Sequence, residues 1–177
     1  MSRMTRISLI LTGLVGLSAA SIAVGQAATS ALKGHNGNAP VDVTADRLEA
    51  QDRADRAIFS GNVKVRQAEM TLDTQRLTVA YTSAGGMQIR RLDASGGVVV
   101  RSATETGRGN FGVYDLDRKL ITLIGAVRLE RQGSTINGQR LTIDLTSGRA
   151  VVDGGAPGIG QSGGRVTGHF LVPKKSQ

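Results

Sequence analysis

The chain of 177 residues has no cysteine and no tryptophan, and its aromatic residues are limited to three phenylalanines and two tyrosines. The absence of cysteine excludes a disulfide framework, so the fold must depend on apolar burial and on backbone hydrogen bonds. So few rings exclude the aromatic surfaces on which proteins stack bases or sugars. The remaining apolar residues are mainly valine, isoleucine, leucine and alanine, which together form a smooth aliphatic surface.

Residues that carry chemistry are also scarce. The two histidines, His35 and His169, have no serine–acid pair and no metal-ligand pattern near them, and we expect both at the surface. Asp115 and Asp117 are interpreted as turn residues, because aspartate side chains cap turn backbones. Residues 107–109 lack the spacing and the following helix of a phosphate-binding loop. We therefore predict no catalytic residue, no bound metal and no cofactor, and we do not expect an enzyme.

The N-terminus has the pattern of a secretory signal peptide over residues 1–27. Arg3 and Arg6 form a positive start, residues 7–17 an apolar run, and small residues continue to Ala27, after which we predict cleavage. The alternative is an uncleaved anchor, since residues 7–24 are marginally long enough to span a bilayer. Cleavage is favoured because the segment between the apolar run and Ala27 is rich in small residues and no basic stop-transfer cluster follows.

The charge balance is basic. The formal charge is +8, and loss of Arg3 and Arg6 with the signal peptide would leave +6. A positive chain favours anionic partners, and export argues against nucleic acid, which leaves acidic lipid or lipid phosphate. The alternative is that lysine and arginine simply solvate one face of a sheet.

The exported part reads as one all-β domain over residues 41–154, behind a flexible leader at 28–40. Apolar and polar residues alternate in short runs between turn signals, which predicts strands, and the short turns favour antiparallel pairing. The tail, residues 155–177, is glycine-rich and basic; residues 155–164 are expected to be flexible, and 165–172 to form at most one short strand. The predicted strands of the domain are 41–50, 57–66, 70–81, 87–101, 104–114, 120–131, 136–145 and 149–152.

One unit recurs with a period near 30 residues, which is typical of stacked supersecondary units. Each unit has a starting pair followed by a glycine. Gly61-Asn62 has the composition of a hairpin turn, but stronger turn signals at 52–55 and 67–69 favour a bulge or kink inside a longer strand. Repeated kinks would fold the sheet into two facing halves. The pairs are Arg47-Leu48, Arg76-Leu77, Asn110-Phe111 and Arg140-Leu141, and the glycines are Gly61, Gly96, Gly125 and Gly154.

A curved sheet with an aliphatic inner face and open ends is suited to acyl chains, because each buried methylene contributes about 0.8 kcal/mol. From periodicity alone, a filled core as in an ordinary sandwich is the simpler interpretation. The predicted inner face assumes that no register change occurs at the glycines, since a slip of one residue exchanges the two faces. Its residues, which are the predicted lipid-binding set, are Phe59, Val63, Val65, Leu77, Val79, Tyr81, Phe111, Val113, Val127, Leu129, Leu141, Ile143 and Leu145.

Five short segments between residues 41 and 145 occur in a specific order and spacing. They are Val41-Asp42-Val43-Thr44-Ala45-Asp46-Arg47-Leu48-Glu49, Phe59-Ser60-Gly61-Asn62-Val63, Gly112-Val113-Tyr114-Asp115, Leu123-Ile124-Gly125-Ala126-Val127 and Gly138-Gln139-Arg140-Leu141-Thr142-Ile143-Asp144-Leu145. Together they resemble the LptA or OstA-like family of lipopolysaccharide-export periplasmic proteins. One departure is Ala126, where the family usually shows asparagine after the glycine.

The resemblance implies a β-jelly-roll or an open, V-shaped, twisted antiparallel sheet. It implies an apolar groove that carries the acyl chains of lipid A across the periplasm for outer-membrane assembly. It also implies a head-to-tail homo-oligomer, end-to-end β pairing with related domains of inner- and outer-membrane components, and lipid A phosphates as partners for the positive charge. An inner-membrane ATPase would supply the energy, so no catalysis is expected in this chain.

Two other interpretations remain open at this point. One is a membrane-anchored, LptC-like partner of the same pathway, which the uncleaved N-terminal helix would produce. The other is a structural β-repeat protein that polymerises without cargo, since exposed terminal strands are templates for adding another strand.

Overall fold

The structure, a computed structural model, describes residue 30 and residues 32–83, 86–155 and 164–171. The predicted signal peptide lies outside these residues, as does most of the predicted flexible part of the tail. Within the described part of the chain, no helix has the length and apolarity needed to cross a membrane.

The alternating segments form strands close to the predicted bounds, joined by short turns, with one 3₁₀ turn at Asp52–Ala54 where a polar turn was expected. The first predicted strand differs, because it is divided in two around residues 45 and 46. The strands are β1 Val41–Thr44, β2 Arg47–Gln51, β3 Arg56–Gln67, β4 Met70–Thr82, β5 Gln88–Arg101, β6 Glu105–Asp115, β7 Leu120–Arg131, β8 Ser134–Asp144, β9 Ala150–Asp153 and β10 Thr167–His169.

All ten strands belong to one antiparallel sheet in which β3 to β8 follow one another in chain order. The short strands β1 and β2 pair with opposite halves of β3, while β9 and β10 pair with opposite halves of β8. No pairing joins the first edge to the last among the described residues, so the sheet is open rather than a closed barrel. The predicted all-β class and the open antiparallel sheet are confirmed.

The long strands bend at the glycines, as predicted, rather than turning back as hairpins. Gly61, Gly96 and Gly125 lie inside β3, β5 and β7, and the register shifts at each of them. Each of these glycines, and the residue after it, has positive φ. In the fourth unit, the glycine with this conformation is Gly155 rather than the predicted Gly154, which has no positive φ.

The bends affect the alternation of side chains differently on odd- and even-numbered strands. On β3, β5 and β7 two residues occupy the bend, so the inward and outward alternation continues unchanged across it. On β4, β6 and β8 a single polar residue lies opposite, and the alternation is reversed on its far side. A strand with one extra unpaired residue changes which face its side chains occupy. These single residues are Gln75, Asn110 and Gln139.

The apolar side chains of both halves meet in one core cluster, with Leu77 and Leu141 completely buried in one half and Val65 and Val100 buried in the other. Fully burying one such side chain contributes about 1.5–3 kcal/mol. The two halves of the bent sheet therefore stabilise each other through their inner faces.

The predicted flexible leader is corrected by the structure over most of its length. Ser30 and residues 32–40, here called the strap, run across the space between the tips of the two half-sheets. Leu32 is 2% exposed and belongs to the core cluster. The expectation that His35 lies at the surface is also wrong, because its ring is buried between Gln67 and Glu69. His169 on β10 is exposed, as expected.

The bend in β5 gives a matched pair of tests, Gly96→Ala and Gly97→Ala. Both residues have positive φ, so both substitutions are expected to cost about 1–2 kcal/mol of unfolding free energy. A Cβ at Gly96 would also lie 2.8 Å from Gln75 Cβ, whereas one at Gly97 would have no neighbour within 4 Å. Denaturant unfolding should therefore show Gly96→Ala as the less stable by about 1–3 kcal/mol. Equal losses of unfolding free energy in the two variants would contradict the close packing of Gly96 against Gln75.

The bend in β7 predicts a stabilising change, Ala126→Gly. Ala126 has φ of 46°, a left-handed conformation in which alanine is strained and glycine is not. Removing this strain is expected to raise the unfolding free energy by about 1 kcal/mol, measured by the same unfolding method. Ala103→Gly, in the turn between β5 and β6 where no positive φ occurs, is the control and should lower it or leave it unchanged.

Candidate functional site

The inner face of the bent sheet brings most of the predicted site residues together. Nine of the thirteen are buried in the core cluster, and Phe59 is partly buried against it. They lie in cross-strand rows on both sides of the bend, so that Leu77 neighbours Phe59 and Val79 neighbours Ala57. The nine are Val63, Val65, Leu77, Val79, Val127, Leu129, Leu141, Ile143 and Leu145.

Two predicted residues lie on the other face. Phe111 is 54% exposed, and Val113 is half-buried on the same outward side. The prediction placed Phe111 in register with Leu77 and Leu141, but the structure pairs it with Ser95 and Ile124. Asn110 reverses the alternation on β6, so Gly112 and Tyr114 face inward instead.

Tyr81 lies outside the cleft between the half-sheets. It is half-buried near the end of β4, beyond a register shift, and its hydroxyl lies 3.4 Å from Asp52 Oδ1 on the 3₁₀ turn. Desolvation, followed by the nearby carboxylates of Asp52 and Asp55, raises the pKa of Tyr81. Tyr81 therefore lies beside the 3₁₀ turn and does not line the cleft.

The structure adds inward residues that the sequence prediction left out. They come from β4, β5, β6 and β7 and from the strap. The inward positions on the strands could have been predicted by aligning the units on the single polar residue opposite each bend. Leu32 has no such signal, because nothing in the composition of the leader predicts an inserted side chain. The added residues are Leu32, Met70, Leu72, Leu92, Ala94, Val98, Val100, Tyr114, Ile121 and Leu123.

The inner face of β6 is made of glycine where neighbouring strands carry large side chains. A Cβ at Gly107 would lie 2.9 Å from Leu123 Cδ1, and one at Gly112 would lie 3.0 Å from Val98 Cγ1. The missing side chains are therefore replaced by leucine and valine from adjacent strands. The glycines let the two half-sheets approach closely at the centre of the molecule.

An apolar cleft lies between the half-sheets at this centre. Its empty volume is about 380 Å³ when the part open to solvent is included, but its interior has room for about one water molecule. The walls are almost entirely aliphatic, with Val65 and Leu72 from one half and Leu92, Ile121 and Leu123 from the other among them. In this state the inner face is thus a packed core with a narrow cleft.

Tyr114 supplies the polar atom of this cleft. The residue is 3% exposed, and its hydroxyl has no hydrogen-bond partner among the residues that the structure describes. Burial raises the pKa of the phenol above its usual value. A buried hydroxyl without a partner is unfavourable, because the group has lost its bonds to water without replacing them.

The strap closes the mouth of the cleft and is fixed to both half-sheets. Toward one tip, Ser30 and Gly34 donate backbone hydrogen bonds to the carbonyls of Gly148 and Leu145. Toward the other tip, His35 hydrogen-bonds Gln67 at 3.0 Å and Glu69 at 2.9 Å. The bond from His35 lowers the pKa of the Glu69 carboxyl.

Three further hydrogen bonds hold the strap at the same tip. Ser30 donates a hydrogen bond of 2.7 Å to Glu105 on β6, whose carboxylate is buried and also lies 3.5 Å from Arg131. The Gln67 amide donates to the carbonyls of Gly37 and Ala39. The strap therefore satisfies the buried side chains of Gln67 and Glu105 at the mouth.

The inner face is exposed at the edge formed by β1 and β2. The inner-face residue Leu48 is 58% exposed there and neighbours Phe59 in register. At the opposite edge, β10 is flanked by exposed Val166 and Phe170. Both ends of the bent sheet therefore combine exposed apolar side chains with strands whose outer backbone groups have no partner strand among the described residues.

Most charged side chains that make ion pairs lie on the outer face. Examples are Arg90 with Asp117, Arg91 with Asp93 and Arg128 with Glu130. Exposed pairs of this kind contribute little, about 0–1 kcal/mol each. Among the described residues, no group of three or more histidine, aspartate or glutamate side chains is placed to hold a metal ion.

Comparison with solved structures gives the same fold. The chain superposes with a TM-score of 0.67 on LptH from Pseudomonas aeruginosa, described as the LptA-homologous periplasmic component of the lipopolysaccharide transport device. The match covers 78% of this chain and 99% of LptH, at 17% sequence identity. At that identity, the similarity demonstrates the fold alone.

Comparison of sequences identifies the family. A protein of Rhizobium meliloti (strain 1021), itself uncharacterized, is 31% identical over 155 residues, which are 82% of this chain and 83% of that protein. Residues 42–149 match the family described as LptA/(LptD N-terminal domain) LPS transport protein. The chain therefore belongs to the LptA/LptD N-terminal domain family of lipopolysaccharide transport proteins.

Proposed function

We propose that this protein is a periplasmic carrier that holds the acyl chains of lipopolysaccharide between its half-sheets and bridges the two membranes for outer-membrane assembly. The observation that carries the proposal is the continuous aliphatic inner face, to which both half-sheets contribute. Membership of a lipopolysaccharide-transport family supports the cargo. Such a face binds chains of methylene groups without any specific hydrogen bond, at about 0.8 kcal/mol per buried methylene.

Loading requires the inner face to open, because the cleft has room for about one water molecule in the closed state. The strap is the element that must move. Leu32 occupies apolar space between the half-sheets, next to Leu129 and Ile143. An acyl chain entering at the mouth would replace Leu32 as the apolar occupant.

The two edges of the sheet support the bridging part of the proposal. The end at β1 and β2 exposes the inner-face residue Leu48, and the other end exposes Phe170 beside β10. A second copy or a related domain that pairs there would extend the sheet and cover these side chains. Stacked in this way, the inner faces would form one continuous trough.

Photo-crosslinking in cells tests the cargo. A benzoylphenylalanine placed at Val79 or Ile143, which face inward, is expected to form adducts with lipopolysaccharide. Thr78 and Thr142, their neighbours on the opposite face, are the matched controls and should give none. Because a large side chain in the core can disturb folding, Leu48 and its outward neighbour Glu49 form a second pair at the exposed end.

Inward positions that form adducts with protein only would contradict the carrier and favour a cargo-free structural protein. Equal lipid adducts from both faces would indicate binding outside the cleft. The mass of the mature protein separates the remaining alternative, since retention of residues 1–27 would indicate a membrane-anchored partner instead of a freely exchanging carrier.

The strap provides a second test, Leu32→Ala. Truncating a buried leucine costs about 2–5 kcal/mol, so the closed state should lose stability. If an acyl chain displaces the strap, this change should also raise the affinity for lipopolysaccharide, by tenfold for each ~1.4 kcal/mol by which displacement becomes easier. Thermal unfolding and a fluorescent-lipid competition assay measure the two effects.

Leu116→Ala is the control for that test. Leu116 is a partly buried leucine after β6 that packs against the core but does not line the cleft. Its truncation should lower stability without raising affinity. A Leu32→Ala protein that binds lipid no better than the parent would contradict strap displacement while leaving the carrier proposal standing.

A further inference from the structure

The hydroxyl of Tyr114 is a buried polar group that nothing in the closed structure uses. Its ring lies in the row nearest the tips of one half-sheet, between Leu92 on β5 and Ile121 on β7. The residue is 3% exposed, and within the described part of the chain its hydroxyl has no hydrogen-bond partner. A phenylalanine would fill the same space without leaving an unpaired donor.

The hydroxyl lies under the strap, at the mouth of the cleft. A Cβ at Gly37 would lie 3.3 Å from the Tyr114 oxygen, so the backbone of the strap packs closely over the hydroxyl. The nearby carbonyls of Gly37 and Ala39 already accept hydrogen bonds from Gln67. The remaining surroundings are aliphatic, with Val65 and Leu72 across the cleft.

The position matters for a lipid. An acyl chain that enters at the mouth has its methylenes between the half-sheets and its headgroup at the mouth, in water. The oxygens of an acyl chain lie at that end, in the carbonyl of its linkage and in any hydroxyl close to it. A phenol in an aliphatic wall at the mouth thus faces the part of the chain that carries oxygen.

We propose that Tyr114 hydrogen-bonds an oxygen at the carbonyl end of a bound acyl chain, and so fixes how deeply the chain enters the cleft. This inference rests on the carrier function proposed above. In the closed state the strap covers the hydroxyl without satisfying it. In the loaded state a carbonyl or hydroxyl oxygen of the lipid takes the vacant hydrogen bond, which is stronger there because water is excluded.

The test compares Tyr114→Phe with the parent protein, using myristic acid and 3-hydroxymyristic acid as competitors of a fluorescent lipid. Loss of one hydrogen bond is expected to weaken binding by about threefold to tenfold. A loss confined to the hydroxylated acid would identify the chain hydroxyl as the partner. A loss with both acids would identify the carboxyl end. Either result supports the inference.

Tyr81→Phe is the matched control, because it removes the other tyrosine hydroxyl, which lies outside the cleft against Asp52. It should bind both acids as the parent does. A structural role for Tyr114 is tested in the absence of lipid. There Tyr114→Phe should unfold at the same temperature or a higher one, because the hydroxyl it removes has no partner in the closed state.

Three results would overturn the inference in distinguishable ways. If Tyr114→Phe and the parent bind both acids equally, Tyr114 has no part in recognition and the carrier proposal is unaffected. If the parent itself binds neither acid and forms no lipid adduct in the crosslinking experiment, the carrier proposal and the inference fail together. A marked loss of thermal stability in Tyr114→Phe would show that the hydroxyl has a structural partner, and would also count against it.

Discussion

The fold depends on one repeated packing contact, a bend glycine placed against a polar side chain of the preceding strand. Gly96 lies against Gln75 and Gly125 against Asn110, each too close for a Cβ. The contact keeps successive bends in line, so that every strand folds at the same level of the sheet. If one bend slipped by a residue, its strand would turn its apolar side chains to water on one side of the bend. The cleft, and the packing of the strap over it, both require this alignment.

Much of this architecture could be predicted from the sequence. Alternation and turn residues gave the strands to within a few residues, and the repeat spacing showed that Gly61 and Gly96 bend strands rather than end them. Alternation and turn residues reflect the backbone preferences of short segments. They carry no information on the side-chain contacts made between strands.

The errors all come from contacts that a single strand does not reveal. Phe111 was aligned with leucines because it follows Asn110 as Leu77 follows Arg76, but Asn110 is the structural counterpart of Gln75. The sequence likewise favours Gly154, although Gly155 is the glycine that has positive φ and lies against Gln139. The strap was missed because its order comes from distant partners. Leu32 and His35 are held by residues more than thirty positions away, and a run rich in glycine and asparagine shows no periodicity that would predict this.

Whether a lipid could open the closed cleft depends on the free energy gained by burying its methylenes and on the free energy that holds the strap in place. About a dozen methylenes buried at ~0.8 kcal/mol each would contribute at most about 10 kcal/mol. Against this stand the burial of Leu32, about 2–5 kcal/mol, and seven hydrogen bonds between the strap and the half-sheets, at about 1 kcal/mol each. The two totals are similar in size, so in the proposed mechanism a single chain would displace the strap without binding irreversibly. A carrier needs this balance because it must release its cargo, and a strap that returns to the cleft would assist the release.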